Sequence, residues 1–262
     1  MAFTITKNSN GLFTYGYSVT NPSTNDGAIF SIDIFIGRDP VSDVDLPSTG
    51  FTHCKIADET NPNGFQGKYF AVPVGSTAPD KWSCGYGHLA GYAPAVFGWG
   101  SIDAPYRIKP GTSLSGFTLN SYGVPAIQDV LMEPAIDQDN LPPEYQENLK
   151  KIVALEKKVK WMGKTVGPKA PPKVFDGGNF IANLIALVNQ SRAQGWIDND
   201  GIVTSLLAKL NTAQSKLPSD TKTAKNTLSA FMNEVSAQNG KHLTSEAYAL
   251  LYFNAQYAVN HL

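Results

Sequence analysis

The sequence predicts an α+β multidomain protein, with an N-terminal antiparallel β-sandwich followed by a C-terminal antiparallel helical bundle. Composition is the first reason. Residues 1–130 hold 18 of the 28 aromatic residues and 16 of the 23 glycines, whereas residues 131–262 are richer in Ala, Leu, Lys and Asn. Aromatic and β-branched side chains suit pleated surfaces, and Ala, Leu and Lys suit helices. The second reason is periodicity, which runs at two in the first half and becomes helical after Phe175. The third is length, because 262 residues exceed the common domain size of roughly 100–150. A turn-rich and proline-dense stretch separates the halves. The expected division is a β-sandwich over 1–136, a proline-rich connector with a short helix over 137–174, and a helical bundle over 175–262.

In chain order, Phe3 and Ile5, then Asn8-Ser9-Asn10-Gly11, then Phe13, Tyr15, Tyr17 and Val19 show alternation on both sides of an Asn/Gly turn, the signature of a hairpin. Residues 28–37 set Ile32, Ile34 and Ile36 on one face of a further strand. More strands are expected at 68–74, 95–99, 106–108, 114–119 and 126–132, bounded by Pro73, Pro79, Pro94, Pro105 and Pro110-Gly111. Short strands at close, turn-bounded spacing predict a sandwich or barrel. The connector opens at Asp137-Gln138-Asp139-Asn140 and Pro142-Pro143 and closes at Pro168 and Pro171-Pro172. Between them, residues 144–162 suggest a Lys-rich helix, although Val159-Lys160-Trp161 could begin a strand.

Four helical runs follow. Phe180, Leu184, Leu187 and Val188 share a face up to Gly195, and Ile202, Leu206, Leu210 and Ala213 share another up to Pro218. Ala224, Leu228, Phe231 and Val235 lead to Gly240, and Ala247, Leu251 and Ala258 follow Thr244. Short connections make these an antiparallel bundle.

Charge excludes one class of partner. The formal net charge is −1 with a pI near 6.4, divided as 7 Lys+Arg against 10 Asp+Glu before residue 131 and 14 against 12 after it. Neither half carries the basic footprint of a nucleic-acid binder. No apolar run reaches the roughly 18–20 residues of a membrane span, and no charged-then-apolar leader precedes Phe3. The protein is therefore expected to be cytoplasmic, or exported after removal of a leader absent from this chain; the second reading is preferred, with an extracellular or cell-surface location. Cys54 and Cys84 support it, because two cysteines without CxxC spacing read most simply as a loop-closing disulfide.

Two stretches resemble known families. Tyr106-Arg107-Ile108-Lys109-Pro110-Gly111-Thr112-Ser113-Leu114-Ser115-Gly116-Phe117 resembles the β-sandwich domains of exported bacterial proteins, in which a Pro-Gly turn leads into a strand with a Gly-Phe pair; it brings no active site with it. The run from Asn183 to Tyr257 resembles the helical FIMAH module of bacterial exported and surface proteins, through Gly195-Trp196-Ile197, residues 206–210, residues 231–238 and Lys241-His242-Leu243-Thr244. That resemblance implies an extracellular accessory domain without catalytic residues.

Candidate chemistry gathers between Lys81 and Arg107, where Trp82, Cys84, Tyr86, His88, Tyr92 and Trp99 are interspersed with Gly85, Gly87, Gly91, Gly98 and Gly100. Trp82, Tyr86, His88, Tyr92 and Trp99 could form a platform for sugar rings or a flat apolar ligand. Alternatively, Trp99 and Phe97 are core and the tyrosines cover a sheet edge. His53-Cys54 with Cys84 and His88 could hold zinc, yet neighbours on an extended strand face opposite ways, which favours the disulfide with no cofactor, with buried free thiols as the next reading. Asp198-Asn199-Asp200-Gly201 looks like the centre of a calcium loop, but Trp196 and Leu207 occupy the first and twelfth ligand positions, so a helix cap by Asp198 or Asp200 is preferred. Asp137-Gln138-Asp139-Asn140, beside Asp129 and Glu133, and Asp43-Val44-Asp45 are alternative calcium loops of similar weakness, for which solvated turns are the preferred reading.

Gly163-Lys164-Thr165 mimics only the end of a P-loop, and Ser219-Asp220-Thr221-Lys222 matches Ser-x-x-Lys by letter alone. No reaction is disclosed. The leading expectation is a non-catalytic binding or accessory protein for a carbohydrate, polymer or surface partner. One alternative is a hydrolase, metal-assisted or metal-free, using His53, His88, Asp80 and Asp103; another is a structural cell-surface subunit.

Overall fold

The computed structural model describes residues 1–25, 27–37, 51–52, 72–73, 76–87, 95–101, 103–135, 161–172 and 174–262. Among the described residues, ten strands precede the long helices: β1 (Ala2–Lys7), β2 (Phe13–Thr20), β3 (Ile29–Gly37), β4 (Phe51–Thr52), β5 (Val72–Pro73), β6 (Ser83–Gly87), β7 (Ala95–Gly100), β8 (Ser113–Ser121), β9 (Val124–Pro134) and β10 (Trp161–Lys169). They form a three-stranded sheet ordered β1-β2-β8, a five-stranded sheet ordered β10-β9-β3-β7-β6, and a small β4-β5 pair.

The first hairpin forms where the Asn/Gly turn predicts it. Gly11 takes a positive φ of 89°, its N–H donates to Asn8 O at 3.0 Å, and Asn8 N–H donates to Leu12 O at 2.8 Å. β2 then alternates fully, with Phe13, Tyr15, Tyr17 and Val19 buried. Its antiparallel partner β8 contributes Phe117 and Leu119 to the same face, through the pairs Tyr17↔Phe117 and Tyr15↔Leu119. The facing layer of the five-stranded sheet supplies Ile32, Ile34, Phe97 and Trp99, paired as Ile32↔Trp99 and Ile34↔Phe97. Ring contacts join the layers: Trp99 lies 5.5 Å from Tyr17 and 5.8 Å from Phe117, both edge-to-face. Two antiparallel sheets thus enclose one aromatic core, the arrangement of a sandwich.

Three local expectations change. Residues 106–108 were expected to be a strand, but a 3₁₀ turn covers Ala104–Tyr106 with Pro105 in its first turn, and only Ile108 bridges to Ile29. β6 was not foreseen, because Cys84-Gly85-Tyr86-Gly87 lacks β-branched residues; cross-strand pairing with β7 holds it extended. The end of the expected connector, Trp161–Lys169, is instead strand β10 of the five-stranded sheet. Val166 there is fully buried. The Lys-rich helix expected over 144–162 falls mainly outside the described residues.

Two compact units result, one of Met1–Ala2, Thr6–Tyr122 and Gln128–Thr165, the other of Phe3–Ile5, Gly123–Ile127 and Val166–Leu262. In the second lie α1 (Gly177–Ala193), α2 (Asp200–Lys216) and α3 (Thr221–Gln238), then α4 (Ser245–Tyr248), which runs through a π-helical turn (Ala249–Phe253) into α5 (Asn254–His261). The helical core uses the apolar positions read from the sequence: Phe180, Leu184, Val188, Leu206, Leu210, Ala213, Leu228, Phe231, Val235, Ala247, Leu251 and Ala258 are buried together. Asp176 and Asp220 cap α1 and α3, accepting from the backbone N–H of Asn179 and Thr223. Asn254, at the end of the π turn and 5% exposed, donates to Leu250 O and Pro125 O, each at 2.8 Å. This unit is therefore more than its helices, since a strand carbonyl satisfies one of its buried amides.

Candidate functional site

Within the stretch from Lys81 to Arg107, the described residues include two paired strands, β6 and β7, and an entry turn. Lys81 is the one non-glycine residue with positive φ, at 63°, among those described. Trp82 N–H closes the turn onto Pro79 O at 3.0 Å, and Ser101 Oγ donates to Lys81 O at 2.9 Å. That geometry drives the Trp82 indole into the core. Trp82 is 1% exposed, its Nε1 donates to Tyr106 O at 2.9 Å, and its ring meets Phe117 edge-on at 5.1 Å. Trp99 is equally buried, at 1%, with Nε1 donating to Thr77 O at 2.9 Å. A buried indole with its donor satisfied is a packing element.

The expectation that Trp82 and Trp99 stack on a ligand is therefore corrected: neither ring offers a face to solvent. Position 86 pairs in register with Phe97, while the side chain of Tyr86, together with His88, Tyr92, His53 and Cys54, lies outside the described residues. Asp80 and Asp103 are both exposed. No free cysteine occurs among the described residues, and among them no group of three or more His, Cys, Asp or Glu is placed to hold a metal ion.

The opposite face of the same strands differs in character. Strand alternation puts Ser31 and Asp33 of β3, Gly98 and Gly100 of β7, and Ser83 and Gly85 of β6 on one side, linked by the pairs Asp33↔Gly98, Gly85↔Gly98, Ser31↔Gly100 and Ser83↔Gly100. Asp33 is a buried carboxylate, 5% exposed, and accepts from Ser31 Oγ at 2.7 Å. It leans over Gly98, where a Cβ would come within 2.1 Å of its Oδ1. A Cβ on Gly85 would meet nothing within 4 Å. The sequence signal for this face was the period-two spacing of Gly85, Gly87, Gly98 and Gly100, which indicated close approach but not its side.

In the helical unit, the corner at residues 195–201 meets that at 239–244. Asp198 N–H donates to His242 O at 3.2 Å and Thr244 N–H to Trp196 O at 3.0 Å. His242 Nδ1 lies 2.7 Å from Asp198 Oδ1, and Arg192 Nε donates to Asp200 Oδ1 at 2.7 Å. Both carboxylates of Asp198 to Gly201 thus have partners within the unit. The cap is neither aspartate: Asn199 Oδ1 accepts from Gly201 N–H and Ile202 N–H, because only the residue just before the first helical turn has those amides in reach. Of the other calcium candidates, Asp129 pairs with Lys164 across β9 and β10, and 43–45 and 137–140 lie outside the described residues. Gly163-Lys164-Thr165 sits in a strand, so no helix N-terminus is there to cradle a phosphate.

Two carboxyls in this unit titrate below their ordinary value of 3.8. For Asp200 the chief cause is the hydrogen bond and charge of Arg192; for Asp220 it is the Thr223 hydroxyl, then the Thr223 amide. A carboxyl depressed in the folded chain stabilises it above the unfolded value and loses that contribution as pH falls through the folded one. Melting of the whole protein, followed by circular dichroism at 222 nm, is expected to fall in midpoint from about pH 5 to about pH 3, less steeply in Asp220→Asn. An equal slope in wild type and variant would show that Asp220 is not coupled to folding.

Comparison with known proteins is informative for one segment. Residues 181–260 match the FIMAH domain, a domain of bacterial surface and exported proteins. No curated protein and no solved structure matches the chain. No helix among the described residues is long and apolar enough to cross a membrane.

Proposed function

We propose, with the FIMAH domain at residues 181–260 as premise, that this protein is a secreted or cell-surface, non-catalytic accessory protein whose β-sandwich binds a carbohydrate or related surface polymer. The domain match is the observation that carries the reading, because it ties the C-terminal third to proteins of the bacterial surface. The two-cysteine composition and the lack of a free cysteine among the described residues support a Cys54–Cys84 disulfide and hence export. Of the original platform, His88 and Tyr92, between β6 and β7, remain the proposed contacts, with Tyr86 beside them. Trp82 and Trp99 serve by holding the two strands against the core.

Calorimetric titration of the whole protein with cellohexaose, xylohexaose, mannohexaose and chitohexaose tests the carbohydrate. At least one is expected to bind, and about tenfold more weakly in Tyr92→Ala, the scale of a lost aromatic contact. Binding by none of the four overturns the carbohydrate assignment. Thiol titration in denaturant without reductant is expected to find no reactive thiol; two would remove the disulfide and its support for export.

A further inference from the structure

A helix that packs against neighbours on one side carries one buried stripe, made of residues three and four apart. The last helical run of this protein carries two. Ala247, Leu251, Ala255 and Ala258 join the helical core. Ala249, Leu250, Phe253 and Asn254 form a second stripe at the same spacing; all four are buried, with Phe253 the most exposed at 8%, and none belongs to that core cluster. The π turn at Ala249–Phe253 carries both stripes, and such turns recur at functional sites.

Asn254 identifies what covers the second stripe. Its side-chain amide has two hydrogens to donate, and it gives to Leu250 O on its own helical run and to Pro125 O on β9, each at 2.8 Å. The unit that holds the helices also contains short extended pieces, namely Phe3–Ile5, Gly123–Ile127 and the end of β10 from Val166. Gly123, Val124 and Pro125 are buried. Gly123 runs so close to β10 that a Cβ there would stand 2.9 Å from both Lys169 O and Pro168 Cβ. The helical unit is therefore completed by strand segments supplied from before the first helix, and Asn254 reads one of them by a backbone carbonyl rather than by a charge.

We propose that the face made by Ala249, Leu250, Phe253 and Asn254 is a docking surface for an extended segment of this same chain, Gly123–Ile127. Through it the helices that match the FIMAH domain act as a non-covalent clamp on the β8–β9 corner, and the covalent connection between β10 and α1 is not what holds them there. The clamp goes beyond the carbohydrate reading and does not depend on it.

A thrombin site inserted after Val174, which is 83% exposed, lets the whole folded protein be cut between β10 and α1. On size exclusion the two pieces are expected to elute together at the position of the uncut chain. On dilution they should separate at about tenfold higher concentration in Asn254→Ala, as for a buried carbonyl left without its donor. Leu250→Ala, which empties a buried apolar position on the same face but outside the helical core, should loosen them at least as much. Circular dichroism at 222 nm equal to wild type identifies a folded variant; should Asn254→Ala lose helicity, Leu250→Ala decides, and the cut wild-type protein tests the clamp without any substitution. Wild-type pieces that elute apart overturn the clamp. Pieces that stay together with wild-type affinity in the folded variants overturn the assignment to this face.

Discussion

Trp99→Ala is expected to destabilise the protein by about 3–5 kcal/mol, the range for emptying a large aromatic site in a core. The ring is 1% exposed and is held edge-on by Phe97 at 4.8 Å, Tyr17 at 5.5 Å and Phe117 at 5.8 Å, so it joins both sheets and cannot be replaced by collapse of one. Losing its Nε1 donor adds little, because Thr77 O also accepts from Thr118 N–H at 3.0 Å. The cost is therefore mostly cavity and lost contact. Trp99→Phe retains part of the ring packing and should recover a substantial share. Urea denaturation of the whole protein checks both, and a Trp99→Ala midpoint equal to wild type would contradict the core assignment. A ligand-binding assay is the wrong readout for this residue, since its effect on binding would come through the fold.

Gly98→Ala is expected to cost about 2–3 kcal/mol, the upper part of the range for forcing one extra carbon into a packed site. The new Cβ would stand 2.1 Å from Asp33 Oδ1 and 3.4 Å from Ile32 O. The carboxyl is short, buried and bonded to Ser31, so turning it aside breaks a hydrogen bond in a place water reaches poorly. A double-mutant cycle isolates the clash: with Asp33→Ser, which removes the offending oxygen, Gly98→Ala should cost at most about 1 kcal/mol. Equal costs in the two backgrounds would mean that Asp33 does not set the need for glycine.

Much of the helical half was legible because its code is local. The four apolar positions of α3, namely Ala224, Leu228, Phe231 and Val235, are its buried residues, and Gly195 and Gly240, expected stops, take positive φ at 73° and 72°. Even the cap was misread by only one residue, between Asp198 or Asp200 and Asn199, since all three are competent acceptors and only chain geometry selects among them. The sheet was less legible. β10 contains Gly163, Gly167 and Pro168, an unpromising strand by propensity, and forms because β9 offers a partner.

The candidate site shows the division most clearly. Sequence by itself determined that rare aromatics and alternating glycines meet in residues 81–107, that the last third folds as a helical bundle, and that two cysteines stand in the β half. Tertiary structure decided which side of the sheet each residue takes. Period two gives two faces without saying which is buried; only pairing with β3 and packing against β2 and β8 put Trp99 inside with Ile32 and left Gly98 beside Asp33 on the other side. An aromatic platform and an aromatic core share one sequence pattern, and the second sheet, supplied by residues far away in the chain, makes these tryptophans core.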